Sequence, residues 1–280
     1  YSHTGEKFTI GNLTIYNYLM DFSPAYWENN VMVMEPNYNA SVYDKTIWNL
    51  DRISHRRPSK SYSYKSTKTG NGQTVYIVDT GIDINHPEFE GRAFRGFDST
   101  NDPSCIDLHG THVAGTVGSK TYGVAKKSRL VDVRVLNCKG SGSYSGIIKG
   151  IEWISKQQKG VSNLSLGGPK SNAVNKALAE LSKLGHYVVV AAGNSNKDAC
   201  TVTPASENSA VTVGATKEGD YFSSFSNWGK CVDILAPGEK IVSTVPNNGT
   251  KSLAGTSMAA PHVAGVLALR LEEYGFLPLH

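Results

Sequence analysis

The chain has 280 residues, 39% of them hydrophobic and 19% charged, with a formal net charge of +4. That balance suits a soluble globular protein with a substantial core, in one large domain or two small ones. No apolar run approaches the eighteen or so residues that cross a bilayer, so no membrane span is expected.

Residues 1–44 come first and stand apart. They are rich in Tyr, Asn and Met, carry Asn-x-Ser/Thr sequons at Asn12 and Asn39, and show no strand–helix alternation. The sequons make this a candidate glycoprotein if the chain is secreted. The opening Tyr1–Lys7 has no signal-peptide pattern, which leaves a cytosolic protein or one whose address has been removed. A composition break near Ser41–Thr46 marks a domain boundary, giving 1–44 and 45–280. The densest basic stretch follows, His55-Arg56-Arg57 with Lys60, Lys65 and Lys68. Serines and tyrosines interrupt it and no helix or stacking platform accompanies it. It therefore reads as a solvated loop, and no nucleic acid is expected as a partner.

From about residue 72 the chain alternates strands and helices. Val75–Val78, Leu130–Leu136, Tyr187–Ala192, Val211–Ala215 and Val232–Ala236 are continuous apolar runs, as expected of strands buried on both faces. Ser143–Gln158 keeps Ile147, Ile148, Ile151 and Ile154 on one helical face, and Ala173–Leu184 places Val174, Ala177, Leu178 and Leu181 likewise. This is an α/β protein: a three-layer αβα sandwich with a mainly parallel sheet. Its active site is expected at the carboxyl ends of the strands.

Four segments in this frame carry chemistry. Val75–Gly81 is a strand ending in Asp79, which on its own reads as a turn aspartate. His109-Gly-Thr-His112 opens a helix; two histidines one turn apart can bind metal, but no glutamate follows the first as in metalloprotease helices. Val188–Ser195 is a strand running into Gly193-Asn194, and a turn asparagine is its plain reading. Leu253–Gly265 places Ser257 at the head of an apolar helix, where a simple N-cap serine is the alternative. Taken together the segments say more. A serine hydroxyl becomes a nucleophile when an imidazole takes its proton and a carboxylate fixes the imidazole tautomer. The Asn194 amide and the Ser257 N–H supply an oxyanion hole, aided by the helix dipole. The order Asp, His, Ser differs from that of chymotrypsin and of the α/β-hydrolases.

There are four cysteines, Cys105, Cys138, Cys200 and Cys231. No C-x-x-C pair exists, so no zinc site is expected. Three pairings are open. The local one, Cys105–Cys138 with Cys200–Cys231, closes two loops worth roughly 3–4 kcal/mol each and points to an oxidising compartment. Four buried free thiols are the alternative.

The motifs Asp79-Thr-Gly, His109-Gly-Thr-His and Gly255-Thr-Ser-Met-Ala resemble the subtilase family, and within it the proteinase K-like branch, over roughly residues 45–270. Trp48–Ser54 resembles the start of a mature enzyme in that branch. The resemblance implies a serine endopeptidase with Asp79, His109 and Ser257 as triad, Asn194 as oxyanion donor, and no cofactor for catalysis. It implies cleft edges at Lys139–Tyr144 (Gly140, Ser141, Gly142, Tyr144) and Leu164–Gly168 (Ser165, Leu166, Gly167), pairing with an extended peptide. Tyr144 would wall the S4 pocket and Ala191, Ala192 and Gly193 the S1 pocket. The absence of Asp and Glu from those segments argues for apolar or aromatic P1 residues. The cysteines resemble those of disulfide-bearing bacterial relatives, Cys105 lying one residue further from the catalytic histidine than the pattern.

The resemblance also implies a structural calcium held by Asp233 and the carbonyls of Asn208 and Ala210, a metal-free structural aspartate being the alternative. Val31–Tyr38 resembles the last strand of the family's inhibitory prosegment. Residues 1–44 would then be its C-terminal half, cleaved between about Asn39 and Thr46 in a zymogen, with the freed end in the cleft; a loose extension is the other reading. Beyond the serine helix the sequence is several dozen residues shorter than the family pattern, so truncation at the C-terminus is expected. The expected protein is monomeric, with polypeptide substrates and its own prosegment as inhibitor, in the secretory pathway and finally extracellular, in the cell wall, or in a vacuolar or lysosomal lumen. Two rivals remain: a folded but inactive binding protein built on the same frame, and a processing enzyme for dibasic sites.

Overall fold

The computed structural model describes residues 47–59, 61–100 and 108–276, together with four strands in the first 34 residues. The chain divides into two units, Tyr1–Tyr43 and Asp44–His280. In the first, β1 (Glu6–Ile10), β2 (Leu13–Asn17), β3 (Ala25–Glu28) and β4 (Val31–Met34) form an antiparallel meander, each strand paired with the next in sequence.

The second unit begins with α1 (Trp48–Ser54), β5 (Thr74–Asp79), β6 (Ala93–Asp98) and α2 (Leu108–Gly118). It continues through β7 (Arg129–Arg134), α3 (Tyr144–Ser155), β8 (Val161–Leu164), β9 (Gly168–Pro169), α4 (Asn172–Lys183) and β10 (Tyr187–Ala191). The remaining elements are β11 (Val202–Thr203), β12 (Val211–Lys217), β13 (Tyr221–Phe222), β14 (Ile234–Pro237), the hairpin β15 (Ile241–Val245) and β16 (Gly249–Leu253), and α5 (Thr256–Tyr274).

The central sheet has eight strands in the order β13-β12-β10-β8-β5-β7-β6, with β14 also on β12. Every pair is parallel except β12 with the two-residue β13. Both faces are covered, and successive residues alternate between two cores. Val75, Ile77 and Val189 point to one core, which contains Val113 and Val117 of α2 and Ala260, Ala264 and Ala268 of α5. Tyr76, Val78, Val188 and Val190 point to the other, with Ile147, Ile151 and Ile154 of α3 and Val174, Leu178 and Leu181 of α4. Side chains on both faces of every inner strand explain why these segments read as unbroken apolar runs. The architecture is the expected αβα sandwich.

The expected element bounds need small corrections. Helix α3 is shorter than expected and α4 lies one residue earlier; Ser143 and Ser171 cap their starts by accepting the N–H groups of Gly146 and Val174. The strand expected at Val232–Ala236 begins at Ile234. Ahead of it, the Val232 N–H closes a turn on the carbonyl of Gly229.

Candidate active site

Asp79 is the last residue of central strand β5, and the chain leaves β5 for the sheet edge before β8 comes in on its other side. The carboxyl ends of β5, β8 and β10 thus open onto one crevice, the place where such sheets gather functional groups. Two glycines bring the next partner close. A Cβ on Gly110 would lie 2.2 Å from the carbonyl oxygen of Gly81, so the turn after β5 and the first turn of α2 meet at a distance only glycine allows. The contact is locked by the Gly110 N–H, which donates to Thr80 Oγ1 at 2.9 Å. As a result His109 Nδ1–H donates to Asp79 Oδ1 at 2.7 Å, and the Thr80 N–H donates to the same oxygen at 2.7 Å. Asp79 is fully buried, whereas the His109 side chain keeps a third of its surface exposed. The imidazole is therefore oriented from within and presents its other nitrogen outward.

Ser257 is the second residue of α5, and its first turn is tied to the end of β8. Asn163 Nδ2 donates to Ser165 Oγ, which donates to the carbonyl of Ser257, both at 2.9 Å. The Ser257 hydroxyl donates in turn to the carbonyl of Ser165 at 3.1 Å. Asn194 follows β10, and its Oδ1 accepts from both the N–H and the Oγ1–H of Thr256 at 2.8 Å. With the oxygen engaged, the amide group turns its Nδ2 donor towards Gly255, beside the Ser257 N–H.

A groove runs past these groups in two lobes that share Leu166–Pro169 as a wall. The first, about 600 Å³, is lined by Thr80, His109, Gly140, Ser141, Gly142, Tyr144 and Ser165 among others. The second, about 500 Å³, is lined by Ala191, Ala192, Gly193, Asn194, Thr256 and Ser257 among others. All the residues expected to bind substrate line these two lobes. Tyr144 crosses the first, its hydroxyl donating to the carbonyl of Pro169 at 2.5 Å.

Other expectations sort clearly. His112 is not a metal ligand: its Nε2–H is shared by the carbonyls of Ile241 and Lys251 at 3.0 and 2.9 Å. Burial lowers its pKa to about 4, so the ring is neutral at physiological pH. Cys200 and Cys231 form a disulfide. Cys138 is also disulfide-bonded, while Cys105, the glycosylation sequons Asn12 and Asn39, and the expected cleavage span lie outside the described residues. Asn208, Ala210 and Asp233 line one cavity; Asp233 Oδ2 accepts the Thr212 N–H at 2.8 Å, which leaves Oδ1 for a cation. That donor set, one carboxylate oxygen and nearby carbonyls, fits a hard ion of calcium type. Among the described residues no group of three or more His, Cys, Asp or Glu side chains converges on a metal position.

The sequence reading overlooked Thr256, which orients the Asn194 amide, and Asn163, which braces the first turn of α5 through Ser165. Thr256 sits inside the Gly-Thr-Ser motif and was legible there. Asn163 lies beside Ser162 within a buried strand, where two polar residues between apolar ones are the available signal.

An αβα sandwich with a buried carboxylate orienting an imidazole beside a groove, and a serine at a helix head in the same groove, defines a class of hydrolase scaffold. Comparison with known proteins narrows it. A model of the subtilase family, peptidase S8, matches residues 70–278. The chain is 49% identical over 261 residues to Subtilisin-like protease 1 of Trichophyton rubrum, covering 88% of this chain and 52% of that protein. It is 46% identical over 252 residues to Alkaline serine exoprotease A of Vibrio alginolyticus, covering 88% and 47% respectively. A solved cold adapted subtilisin-like serine proteinase matches with a TM-score of 0.81 at 48% identity, over 84% of this chain and 88% of that one. This chain belongs to the subtilase family. It spans about half the length of the curated relatives it matches. No helix among the described residues is long and apolar enough to cross a membrane.

Proposed function

We propose that this chain is a serine endopeptidase. Ser257 attacks the scissile carbonyl, His109 takes the hydroxyl proton and returns it to the leaving amine, and Asp79 holds the imidazole in the required tautomer. Asn194 Nδ2 and the Ser257 N–H stabilise the oxyanion. The observation that carries this reading is the 2.7 Å bond from His109 Nδ1–H to a buried carboxylate, in a groove that also holds Ser257. An extended peptide would lie between the edges at Gly140–Gly142 and Ser165–Gly167 as an added strand, and apolar or aromatic P1 side chains would enter the lobe floored by Ala191 and Ala192. Hydrolysis of a tetrapeptide with Phe at P1 tests the assignment. Wild type should cleave it, and Ser257→Ala and His109→Ala should each lose at least roughly 10³ in kcat. Cleavage by Ser257→Ala at the wild-type rate would refute it.

We further propose that residues 1–44 are part of an inhibitory prosegment. Their separate antiparallel sheet and the resemblance of Val31–Tyr38 to a prosegment strand support this. N-terminal mass analysis should find a new start between residues 39 and 46, and a single species beginning at Tyr1 would count against it. Asp233 with the carbonyls of Asn208 and Ala210 would hold a stabilising calcium. The disulfide-bonded cysteines favour an oxidising destination in the secretory pathway.

A further inference from the structure

The lobe beside Asn194 and Ser257 has an apolar floor, Ala191 and Ala192, but its lining also includes Lys170 and Lys197. No aspartate or glutamate lines it among the described residues. Neither lysine is within ion-pair distance of a described carboxylate. Lys170 directly follows β9, and its Nζ donates to the carbonyl of Cys200 at 3.2 Å, so the ammonium is drawn to the turn beside it, which leads into β11, the strand paired with β9. That turn, Ala199–Thr201, is fixed by the Cys200–Cys231 disulfide and by Asp198 Oδ1, which accepts the Cys200 N–H at 2.9 Å. The main chain of Lys197 is held as firmly. Its N–H donates to Asn227 Oδ1 at 3.1 Å and its carbonyl accepts the Trp228 N–H at 3.1 Å. Two ammonium groups therefore stand on fixed backbone at one mouth, with no counter-charge in the lining.

We propose that Lys170 and Lys197 make this lobe a charge-selective P1 pocket, favouring an acidic P1 side chain over its neutral isostere and disfavouring a basic one. The proposal rests on the peptidase reading above and adds the charge rule to it. Phe at P1 still meets the apolar floor. A glutamate carboxylate entering the lobe would meet the two cations that line it. Both lysines are exposed, so water screens them, and each contributes a factor of roughly two to five, about tenfold together. The preference should be strong at low ionic strength and nearly vanish at 1 M salt, where the screening length falls to about 3 Å.

Four tetrapeptides differing only in P1 (Phe, Gln, Glu, Lys) test this by kcat/KM in low salt and in 1 M NaCl, for wild type and for K170Q/K197Q. Calorimetric binding of the same peptides to Ser257→Ala runs alongside. Wild type should prefer Glu to Gln by roughly tenfold in low salt, with Lys below Gln. The Glu/Gln ratio should approach one at high salt and in the double variant. The ratio is internal to each preparation, so the fraction of active protein cancels. A wild-type ratio of one or less, or one unchanged by the double substitution, overturns the proposal. The two readings separate cleanly. Cleavage of the Phe peptide with a Glu/Gln ratio of one removes the charge rule and leaves the peptidase. Selective binding of Glu by Ser257→Ala with no cleavage by wild type does the reverse, and neither binding nor cleavage removes both.

Discussion

At Asn194 the choice of which amide atom faces the groove is made by Thr256. Two donors, one from its backbone and one from its hydroxyl, claim Oδ1 and leave Nδ2 as the outward group. If Asn194 is the oxyanion donor proposed above, holding it this way means no reorganisation when charge develops, which is where such sites draw most of their advantage. Replacing Asn194 by Ala should lower kcat by about 10²–10³, the range known for removal of such a donor in subtilisin, with little change in KM. Steady-state kinetics on one peptide decides it, and a loss confined to KM would assign Asn194 to substrate binding instead. The same scale shows why the proposed triad was legible in the sequence. Asp79, His109, Asn194 and Ser257 each sit in a short motif with glycine beside them, and a close approach such as Gly81 against Gly110 leaves that mark. Lys170 and Lys197 carry no such mark. Exposed lysines look alike in sequence, and what sets these two apart is the lobe they line.

Among the elements, the hairpin β15–β16 links α2 and α5, the helices that carry His109 and Ser257. Thr244 and Ser243 donate their hydroxyls to the carbonyls of Thr111 and His112 in α2, at 2.9 and 2.8 Å, and β16 leads directly into Gly255 and α5. His112 completes the joint from the other side. His262 of α5 is a second buried, neutral ring: its Nδ1–H donates to the Met258 carbonyl at 2.8 Å, Asn49 Nδ2 donates to its Nε2 at 2.8 Å, and burial lowers its pKa to about 4. Both rings have folded pKa values below the unfolded value of about 6.5, so their stabilising effect is complete above that pH and is lost as pH falls from 6.5 towards 4. Each contributes a slope of about 1.4 kcal/mol per pH unit in that window. Asp132, raised to about 6 by burial against the pull of Arg95, slopes the opposite way between about 4 and 6 and offsets one of them. Urea unfolding should therefore show stability falling from pH 6.5 to 4, and His262→Gln should flatten the fall. A stability independent of pH across that window would contradict the assignment. The hairpin and the edge strand β6 were the elements hardest to read in sequence. Ala93–Asp98 is mostly exposed and carries an arginine and a glycine, and Gly249–Leu253 is polar and half exposed, so neither shows the apolar run of an inner strand.

For the whole second unit, long-range ties close the sandwich. Glu272, in the last turns of α5, accepts the N–H groups of Thr69, Gly70 and Asn71 through one oxygen at 2.7, 2.6 and 3.2 Å, which anchors the segment leading into β5. Burial opposes its ionisation, but the three donors and Lys68 outweigh that and hold the carboxyl below its ordinary range. The Cys200–Cys231 bridge closes a span of 31 residues, worth roughly 3–4 kcal/mol in the chain-entropy model, and it fixes the turn whose Thr201 lines the proposed P1 lobe. If calcium adds a third tie at Asp233, chelation should lower the Tm of wild type by several degrees and leave Asp233→Asn unmoved. Equal Tm values for wild type with and without chelator would exclude it. The inner strands and the helical faces that cover them followed from apolar periodicity, which is why the sandwich was readable, whereas the strand order came only with the structure. Carbonyl ligation leaves no trace in side-chain identity, so the calcium expectation came from family likeness alone.

The most direct measurement is covalent labelling with a serine-directed phosphonate, located by peptide mass spectrometry. One adduct at Ser257 is predicted, absent from Ser257→Ala and slowed strongly in Asp79→Asn. Well-folded wild type that takes up no label, or takes it at another serine, would contradict the account.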